Sequence, residues 1–441
     1  MTPIPVIAVF DVGKTNKKLF LFDENYNIVF ERSARFNETV DEDGFPCENL
    51  ESLRFSVYES LNEVSKLKEF ELKAVNFSAY GASFVYLDKD GQPVAPLYNY
   101  LKPYPEDLEK QFYHNYGGEA RLAFETASPA LGNLNSGLQL YRIKYQQPEL
   151  FKRIKYALHL PQYLSFLVSG KKYSDLTSIG CHTALWDFEN HSYHHWVTRE
   201  GIINKLAPIH PADAVVPANI ANANYKVGIG LHDSSAALIP YLVSFKEPFI
   251  LLSTGTWAIS LNPFNQLPLT AAELKKDCLN YIEYHGKPVK ASRLFSGHHY
   301  EQGVKRIAEQ FNQDVVKYRN VPFEMERVRK TESPEVRKTE ENDQEGDDID
   351  AYYSLVAGIV KKQKTAINYV LKGTPVKRIF VDGGFSKNAV FMHLLAEAFP
   401  KLEVFAASMA QATALGTALA IHHHWNSKPI PHDLIELKYY V

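Results

Sequence analysis

Cysteine is scarce in this sequence, and long apolar runs are absent from it. The three cysteines, Cys47, Cys181 and Cys278, are odd in number and far apart. They provide neither a disulfide framework nor a metal-binding spacing, which predicts a reducing, cytoplasmic location. No run approaches the roughly 18 apolar residues of a membrane-spanning helix. The first residues lack the basic region of a signal peptide, so we expect none.

The sequence also lacks a strong excess of charge of either sign. Its 48 Lys and Arg and 51 Asp and Glu leave a net charge of −3, which argues against a general affinity for nucleic acid or membranes. What it has instead is ordinary globular composition, with 45% hydrophobic and 22% charged residues. Its 441 residues are enough for two or three domains with substantial cores.

Strand-like and helix-like segments alternate along the chain, which favours an α/β fold. The chain opens with two apolar runs, Val6–Phe10 and Leu19–Phe22, around a polar turn, and this pattern predicts a hairpin. The design recurs at Ile250–Ser253 and Trp257–Leu261. We interpret this as a weak internal repeat, and predict one domain over residues 1–243 and a second over 244–441.

A charged segment interrupts the second predicted domain. Residues 325–350 hold few apolar side chains, repeat the letters VRKTE and become acidic toward their end. This composition predicts a mobile surface loop, with a docking element as the less favoured alternative. An amphipathic helix is predicted directly after it, over Tyr353–Leu371.

The first polar turn has the chemistry of a phosphate site. It combines the carboxylate of Asp11, the backbone of Gly13 and the cations of Lys14 and Lys18. A Walker-type loop would also need glycine at position 8, which is Ala8, and a helix after the turn. The turn therefore predicts phosphate binding by a different route.

A second segment, Gly228–Ala237, delivers His232 and Asp233 to the start of a predicted helix. A dinucleotide-binding fingerprint would need glycine at position 233, so that interpretation fails. Two interpretations of Asp233 remain. It caps the helix, or it is a general base that accepts a proton from a hydroxyl group as the oxygen attacks phosphorus.

Two further turns lie in the second half of the chain. Ser253–Thr256 offers hydroxyls and backbone amides, which suits either an anion-binding turn or a simple hairpin turn. Asp382–Gly384 lets a flat ligand approach the backbone at the start of a helix, for which we predict Ser386 as the N-cap.

Several histidines cluster in the sequence without the spacing of a metal site. His298–His299 and His422–His424 do not present the facing pair of a helical site. His182 and the pair His194–His195 have no carboxylate at metal-ligand spacing. We therefore predict no metal site built on histidine.

Taken in order, the turns resemble the motifs of the ATPase superfamily of hexokinase, actin and the heat-shock ATPases, and specifically those of the FGGY family of carbohydrate kinases. The resemblance covers nearly the whole chain. The matching segments are Asp11–Lys18 for the first phosphate motif, Ser253–Trp257 for the second, Gly383–Asn388 with Ala412–Gly416 for the adenosine motif, and Leu160–Gly170 with Thr177 and Leu185–Asp187 for the interior signature.

Within this family, Gly230–Asp233 and Tyr80–Asp88 are most similar to the rhamnulokinase and fuculokinase branch. That similarity implies a six-carbon deoxyketose substrate. Lys14 stands where the family pattern has a small residue, and Tyr80 and Ser83 stand where it has Trp and Asp. The identity of the sugar therefore stays open.

The resemblance implies two RNase-H-like domains of the actin type, with ATP, Mg²⁺ and a sugar bound in the cleft between them. It implies no nucleic acid or membrane partner and is compatible with a homodimer. The implied residues are Asp233 as general base, Asp11 for the metal, Tyr80, Gly81, His232 and Ser234 for the sugar, and Gly13, Lys14, Thr15, Asn16, Lys18, Gly255, Thr256, Gly383, Gly384 and Asn388 for ATP.

The resemblance predicts phosphorylation of a sugar hydroxyl, such as a primary hydroxyl of L-rhamnulose or L-fuculose. One alternative is a kinase for another ketose or polyol, such as xylulose or glycerol. Another is a nucleotide-binding regulatory relative that has lost turnover.

Overall fold

A computed structural model of the chain describes residues 2–14, 16–81, 83–331, 347–409 and 411–441. In this part of the chain, two mixed sheets each carry helices on both faces, so the predicted α/β fold with two domains is confirmed. No described helix is long and apolar enough to cross a membrane.

The strands follow the chain in this order: β1 (Ile4–Val12), β2 (Lys17–Asp23), β3 (Ile28–Ala34), β4 (Thr39–Val40), β5 (Pro46–Cys47), β6 (Phe70–Ala79), β7 (Phe84–Leu87), β8 (Tyr156–His159), β9 (Ser174–Asp175), β10 (Trp186–Asp187), β11 (Ser192–Tyr193), β12 (Ile209–His210), β13 (Val215–Pro217), β14 (Lys226–Gly228), β15 (Leu231–His232), β16 (Phe249–Thr254), β17 (Ala258–Asn262), β18 (Cys278–Ile282), β19 (Pro288–Leu294), β20 (Arg378–Gly383), β21 (Glu403–Ser408) and β22 (Glu436–Tyr440).

The α-helices are α1 (Leu50–Val64), α2 (Glu106–Asn115), α3 (Glu119–Thr126), α4 (Ser136–Gln146), α5 (Pro148–Arg153), α6 (Leu160–Ser169), α7 (Leu176–Ile179), α8 (His195–Arg199), α9 (Asp233–Ser244), α10 (Ala271–Leu274), α11 (Ser296–Gln310), α12 (Met325–Thr331), α13 (Asp348–Leu371), α14 (Ala389–Ala398), α15 (Ala412–Ala420) and α16 (His422–Trp425). Short 3₁₀ helices include Gly384–Lys387.

The first sheet has the order β13-β14-β6-β1-β2-β3, and β15 also pairs with β6. Its central strand β1 is antiparallel to β2 and parallel to β6. Val6 and Ala8 pack toward α1 and α6, whereas Ile7 and Val9 pack toward α9 and α15. Because helices cover both faces, β1 is a continuous apolar run and does not alternate with polar residues.

The second sheet repeats the first at the level of topology. Its order is β18-β19-β17-β16-β20-β21-β22. Strand β16 is antiparallel to β17 and parallel to β20, as β1 is to β2 and β6. The weak repeat predicted from the two hairpins is therefore confirmed in the pairing of the strands around them.

Helix α9 lies between the two sheets, and α15 packs beside it on the first sheet. Ala236 and Ile239 of α9 pack on the first sheet, and Leu238 and Tyr241 of the same helix pack on the second. A Cβ on Gly416 of α15 would lie 1.8 Å from the carbonyl oxygen of Ala236, so the two helix backbones are in direct contact. The predicted boundary between residues 243 and 244 falls at the end of α9 and stays a prediction.

The prediction of a loop over residues 325–350 is wrong at both ends of the segment. Met325–Thr331 forms α12, and the acidic end forms the first turn of α13. The side chain of Asp347 caps α13 by accepting from the Asp350 amide at 2.8 Å. Carboxylates are favourable at a helix N-terminus, so this acidic stretch begins a helix. The central part, residues 332–346, lies outside the described residues.

The prediction of Ser386 as a helix N-cap is also wrong. Ser386 lies in the 3₁₀ helix, where its hydroxyl donates to the Gly383 carbonyl at 2.8 Å. Asn388 caps α14 instead, because its Oδ1 accepts from the Phe391 amide at 3.0 Å. The helix therefore begins after one extra turn of backbone.

Candidate active site

Asp11 and Asp233 are positioned by neighbouring parallel strands. Asp11 is the penultimate residue of β1, and Asp233 follows β15 as the first residue of α9. Both strands are parallel to β6, where Ser78 lies opposite Asp11 on one side and Leu231 on the other. The carboxyl ends of parallel strands meet at one edge of a sheet, which is where both carboxylates lie.

Both carboxylates have raised pKa values, and the charge of Asp233 contributes to the shift at Asp11. Burial and the charge of Asp233 raise the pKa of Asp11 to about 6, although Ser78 donates to its carboxylate at 3.0 Å. Burial raises the pKa of Asp233 to about 6 as well, against the hydrogen bond of 2.6 Å from the Ser234 amide. Two neighbouring carboxylates in this state fit a hard divalent cation such as Mg²⁺, which takes oxygen ligands.

The capping interpretation of Asp233 does not describe the structure. His232 is the N-cap of α9, and Asp233 lies one residue inside the helix. Its carboxylate accepts from the amide of the next residue, Ser234, whose hydroxyl is 3.3 Å from the same oxygen. The carboxylate is about one third exposed at the positive end of the helix dipole, where a negative charge is favoured.

His232 is buried against the Asp233 side chain. Its amide donates to Thr177 Oγ1 at 2.9 Å, and its Nε2 lies 3.0 Å from Cys181 Sγ and 3.2 Å from Asp233 Oδ1. Burial lowers the pKa of His232 to about 3, so the ring is neutral at physiological pH. A Cβ on Gly81 would lie 2.7 Å from the His232 ring, which explains the glycine.

Tyr80 and Lys14 meet at one buried carboxylate. The Tyr80 hydroxyl donates to Glu48 at 3.3 Å, and Glu48 also pairs with Lys17 and, at 3.8 Å, with Lys14. Lys14 makes its closer ion pair with Glu38 at 2.9 Å. Lys14, which was predicted to bind ATP, and Tyr80, which was predicted to bind the sugar, therefore contact the same carboxylate.

The other described residues of the first turn make contacts of their own. Lys18 pairs with Glu31 at 3.0 Å, and its charge also lowers the pKa of Asp11. The Gly13 amide donates to the Asn16 carbonyl at 2.9 Å and closes the turn. Thr15 lies outside the described residues.

The second turn is built from exposed small residues. Gly255 and Thr256 are both exposed, and the Gly255 amide donates to the Trp257 carbonyl at 2.8 Å. A Cβ on Gly297 would lie 1.9 Å from the Gly255 carbonyl oxygen, so only glycine lets α11 begin directly against this turn.

Gly383 supports the same turn from the neighbouring strand. It lies opposite Thr254 with φ of 87°, and a Cβ there would be 1.9 Å from the Thr254 carbonyl oxygen. The Thr254 hydroxyl donates to the Asp382 carbonyl at 2.5 Å and accepts from the Phe385 amide at 3.0 Å. This binds the strand ends of β16 and β20 into one unit.

Four of the residues predicted for ATP line one cavity of ≈ 420 Å³. The predicted residues are Gly255, Thr256, Gly384 and Asn388, and the others are Gly297, Tyr300, Glu301, Arg319, Phe385 and Lys387. The Tyr300 and Phe385 rings stand nearly perpendicular with centroids 5.5 Å apart. A cavity with small residues on one wall and aromatic rings on another fits a flat ligand such as a purine.

Several of these residues were not found by sequence reasoning. Tyr300 and Phe385 are two of many aromatics in the chain, and nothing in their spacing marks them. Glu48 and Cys181 are equally unmarked, because each reaches the site through tertiary contacts alone. Gly297 carried a signal, since a glycine follows a serine at the start of α11 where a bulkier residue would favour the helix.

The fold defines the class of protein. A solved structure described as a carbohydrate kinase from Novosphingobium aromaticivorans matches it with a TM-score of 0.79 at 22% identity, over 98% of this chain and 96% of that one. The chain is a two-domain α/β protein with the carbohydrate-kinase fold.

The chain belongs to the FGGY family of carbohydrate kinases, as the sequence motifs predicted. The model of the family's N-terminal domain matches residues 6–238. Two models of the family's C-terminal domain match residues 246–332 and 313–425.

The chain is also similar to curated rhamnulokinases at low identity. It is 26% identical to that of Halalkalibacterium halodurans over 186 residues, which is 40% of this chain and 39% of the relative. It is 21% identical to that of Oceanobacillus iheyensis over 265 residues, or 56% of this chain and 54% of the relative. The chain thus spans about half or less of the length of these relatives.

Proposed function

We propose that this protein transfers the γ-phosphoryl group of ATP to a hydroxyl group of a sugar, with Asp233 as the general base. The observation that carries the proposal is the juxtaposition of Asp11 and Asp233, two carboxylates with raised pKa values at one edge of a sheet. Phosphoryl transfer needs one group to position a metal beside the phosphates and another to receive the proton of the attacking hydroxyl. The two carboxylates supply one group for each task.

Asp233 acts on the acceptor. Its carboxylate takes the hydroxyl proton as the sugar oxygen bonds to the γ-phosphorus, and the bond from phosphorus to the bridging oxygen breaks to release ADP. A base with a pKa of about 6 is largely ionised at neutral pH and still basic enough to receive the proton. The third of its surface that is exposed leaves room for a hydroxyl group.

His232, Tyr80, Gly81 and Ser234 are the residues that we propose to bind the sugar. The Nδ1 atom of His232 is buried and makes no hydrogen bond with any described residue. An unpaired buried nitrogen costs free energy, and a sugar hydroxyl would supply its partner. This favours a polyhydroxylated ligand beside Asp233.

Asp11 is proposed to hold Mg²⁺, through water, next to the phosphates. The ion, when bound, would neutralise charge on the β- and γ-phosphates. For ATP itself we propose Gly13, Lys14, Thr15, Asn16 and Lys18 at the first turn, Gly255 and Thr256 at the second, and Gly383, Gly384 and Asn388 beside the adenosine. The amides of such small residues can approach phosphate oxygens closely.

For the acceptor we propose a primary hydroxyl of a six-carbon deoxyketose such as L-rhamnulose or L-fuculose. Support comes from the Gly230–Asp233 motif and from the rhamnulokinases to which the chain is similar. A kinase for xylulose or glycerol is the second candidate, because Tyr80 and Ser83 differ from the pattern of the rhamnulokinase branch. A regulatory relative without turnover is the third, and a homodimer stays a prediction.

A panel of ketoses and polyols, assayed for ADP release with Mg²⁺-ATP, separates these candidates. We expect the largest kcat/KM with a deoxyketose, and Asp233→Asn should lower it by about 10²–10⁴-fold. Asp107→Asn is the matched control, since Asp107 also lies in the first turn of a helix, exposed and remote from this edge. An Asp233→Asn variant with unchanged sugar-dependent ADP release would refute the general-base role.

The pH profile tests the same role independently. Only the ionised form of Asp233 can accept the proton, so kcat/KM should fall as the pH drops below about 6. An unperturbed aspartate would lose activity only near its ordinary pKa, which is about two units lower. A profile that stays flat down to pH 5 would contradict the raised pKa of the base.

A further inference from the structure

Three metal-ligand side chains meet at the His232 ring. Cys181, His182 and His232 offer one sulfur and two ring nitrogens that all lie within 4.8 Å of one another. All three residues are buried, with His182 the most exposed at 8%. They come from two segments of chain that are distant in sequence, so their spacing gave no sign of the cluster.

The donor atoms are held in place by contacts outside the cluster. His182 Nδ1 donates to the Leu134 carbonyl at 3.2 Å, which leaves the lone pair on Nε2. His182 has a φ of 41°, in the left-handed region that residues other than glycine adopt infrequently. The amide of His232 is fixed by Thr177 Oγ1 at 2.9 Å.

A second histidine cluster does not share these properties. In Glu125, His194 and His195, the buried ring of His194 already uses both nitrogens. Its Nδ1 accepts from the Trp196 amide as the N-cap of α8, and its Nε2 bonds Glu125 at 2.8 Å. That cluster is a structural cap with a carboxylate partner, which also corrects our expectation that His194 has none.

We propose that Cys181, His182 and His232 bind a thiophilic divalent transition-metal ion such as Zn²⁺. Sulfur and imidazole donors suit Zn²⁺, whereas the oxygen donor of Asp11 suits Mg²⁺, so the two sites select different ions. Zn–S and Zn–N bonds of about 2.3 and 2.0–2.1 Å place tetrahedral ligand atoms roughly 3.3–3.7 Å apart. The atoms observed here, 3.0 Å apart for Cys181 Sγ and His232 Nε2 and at most 4.8 Å overall, need only small shifts.

Binding of the metal ion would bring it close to the carboxylate of Asp233. The S–H bond of Cys181 breaks, its proton leaves to solvent, and the thiolate bonds to the ion. Nε2 of His232, the proposed ligand atom, lies 3.2 Å from Asp233 Oδ1, so the ion would lie next to this carboxylate. An ion in this place would compete with the acceptor hydroxyl for the space beside the Asp233 carboxylate, so it is expected to inhibit phosphoryl transfer. This last step rests on the proposed function, whereas binding itself does not.

The direct test is titration of the substrate-free protein with Co²⁺, a spectroscopic substitute for Zn²⁺. We expect one Co²⁺ per chain and a thiolate-to-cobalt charge-transfer absorption that Zn²⁺ removes by displacement. Cys181→Ser should abolish this absorption, and His182→Gln should weaken Co²⁺ binding by about tenfold or more. Cys278→Ser is the matched control, because Cys278 is an equally buried free thiol in the second sheet.

The proposal is overturned if Co²⁺ binds without thiolate absorption, or if Cys278→Ser removes the absorption as Cys181→Ser does. Thermal unfolding of each variant shows whether the protein is still folded, and a folded Cys181→Ser that retains the absorption also overturns it. A second measurement concerns turnover, where Zn²⁺ should inhibit the unmodified protein more strongly than Cys181→Ser. If no sugar is phosphorylated at all, the proposed function fails while the Co²⁺ result still decides the metal site.

Discussion

The two central hairpins of the molecule share a backbone design and differ in chemistry. In the first turn the Gly13 amide donates to Asn16, and in the second the Gly255 amide donates to Trp257, at 2.9 and 2.8 Å. The first turn is crowded with lysines and carboxylates, whereas the second exposes glycine and threonine. The comparison teaches that one strand–turn–strand scaffold can present either fixed charges or neutral hydrogen-bonding groups.

Each hairpin also pairs with a parallel neighbouring strand, and the aspartate and serine of the two pairs are exchanged between the halves. Asp11 of the first hairpin lies opposite Ser78 of its parallel neighbour, and Ser253 of the second hairpin lies opposite Asp382. Each half therefore has one aspartate and one serine at the end of a parallel strand pair, with the two exchanged. Only the first half places its aspartate on the hairpin itself.

The largest effect is expected when the charged pair of the first turn is removed, and it concerns the free energy of unfolding. Lys17 pairs with Glu48, and their side chains are only 7% and 4% exposed. Lys17→Met should lower the free energy of unfolding by about 3–5 kcal/mol, because it leaves a buried carboxylate without its main partner. Urea denaturation measures this. The corresponding position of the second turn is Ala258, so the charged pair belongs to the first turn alone, and a loss below about 1 kcal/mol would contradict its importance.

The next effect concerns catalysis. Asp11→Asn should lower kcat/KM by about 10²–10³-fold, because the variant loses the negative charge proposed to hold the metal beside the phosphates. Ser253→Ala, the same topological position in the second half, should cost less than about tenfold, since a hydroxyl supplies no charge. Steady-state ADP release over a range of Mg²⁺ concentrations measures both. Equal losses in the two variants would break the contrast between the turns.

Smaller effects are expected for alanine substitutions at Gly383 and Gly81, and the two should differ in kind. Gly383→Ala should lower the free energy of unfolding by about 1–3 kcal/mol, because φ is positive and the new Cβ meets backbone. In Gly81→Ala the new Cβ meets the side chain of His232, which can shift. We therefore expect Gly81→Ala to raise the KM for the sugar more than it lowers the thermal midpoint. The reverse pattern would show that His232 cannot shift and would contradict its proposed contact with the sugar.

The smallest effect is expected for Lys14. Its partner Glu38 is half exposed, and Glu48 keeps Lys17, so Lys14→Ala should change the free energy of unfolding by less than about 1 kcal/mol. The KM for ATP should change by at most about fivefold. Lys18→Ala serves as the comparison, because the Lys18 charge reaches Asp11. A larger effect on KM would show that the proposed contact of Lys14 with ATP outweighs its ion pairs with Glu38 and Glu48.

The fold was predictable where local patterns agree with the tertiary structure. The hairpin from Val6 to Phe22 and the helix Leu160–Ser169 have the period, the turn residues and the closing Gly170 that their structures require. The loop predicted over residues 325–350 was wrong at both ends, because composition alone cannot distinguish a solvated charged run from the N-terminus of a helix. Arg327 bonds both Asp347 and Asp350, and this contact is not visible from the sequence.

The sequence predicted the site residues that lie at strand ends, but it did not predict those that reach the site through tertiary packing. Asp11, Gly255 and Asp233 lie at or directly after the ends of strands, in short polar segments between apolar runs, so their chemistry could be recognised in order along the chain. Cys181 lies in the bend after α7 and Tyr300 lies on α11, and no local motif marks either residue. Their roles depend on which helices face each other, and a single sequence does not contain that information in local form.

The contact between Gly416 and Ala236 has a mechanical consequence. Two helices that touch at their backbones leave no room for a side chain between them, so any residue larger than glycine at position 416 must move α15 away from α9. Asp233 lies on α9, three residues before the contact at Ala236. We therefore expect a substitution of Gly416, far from Asp233 in the sequence, to displace the proposed base.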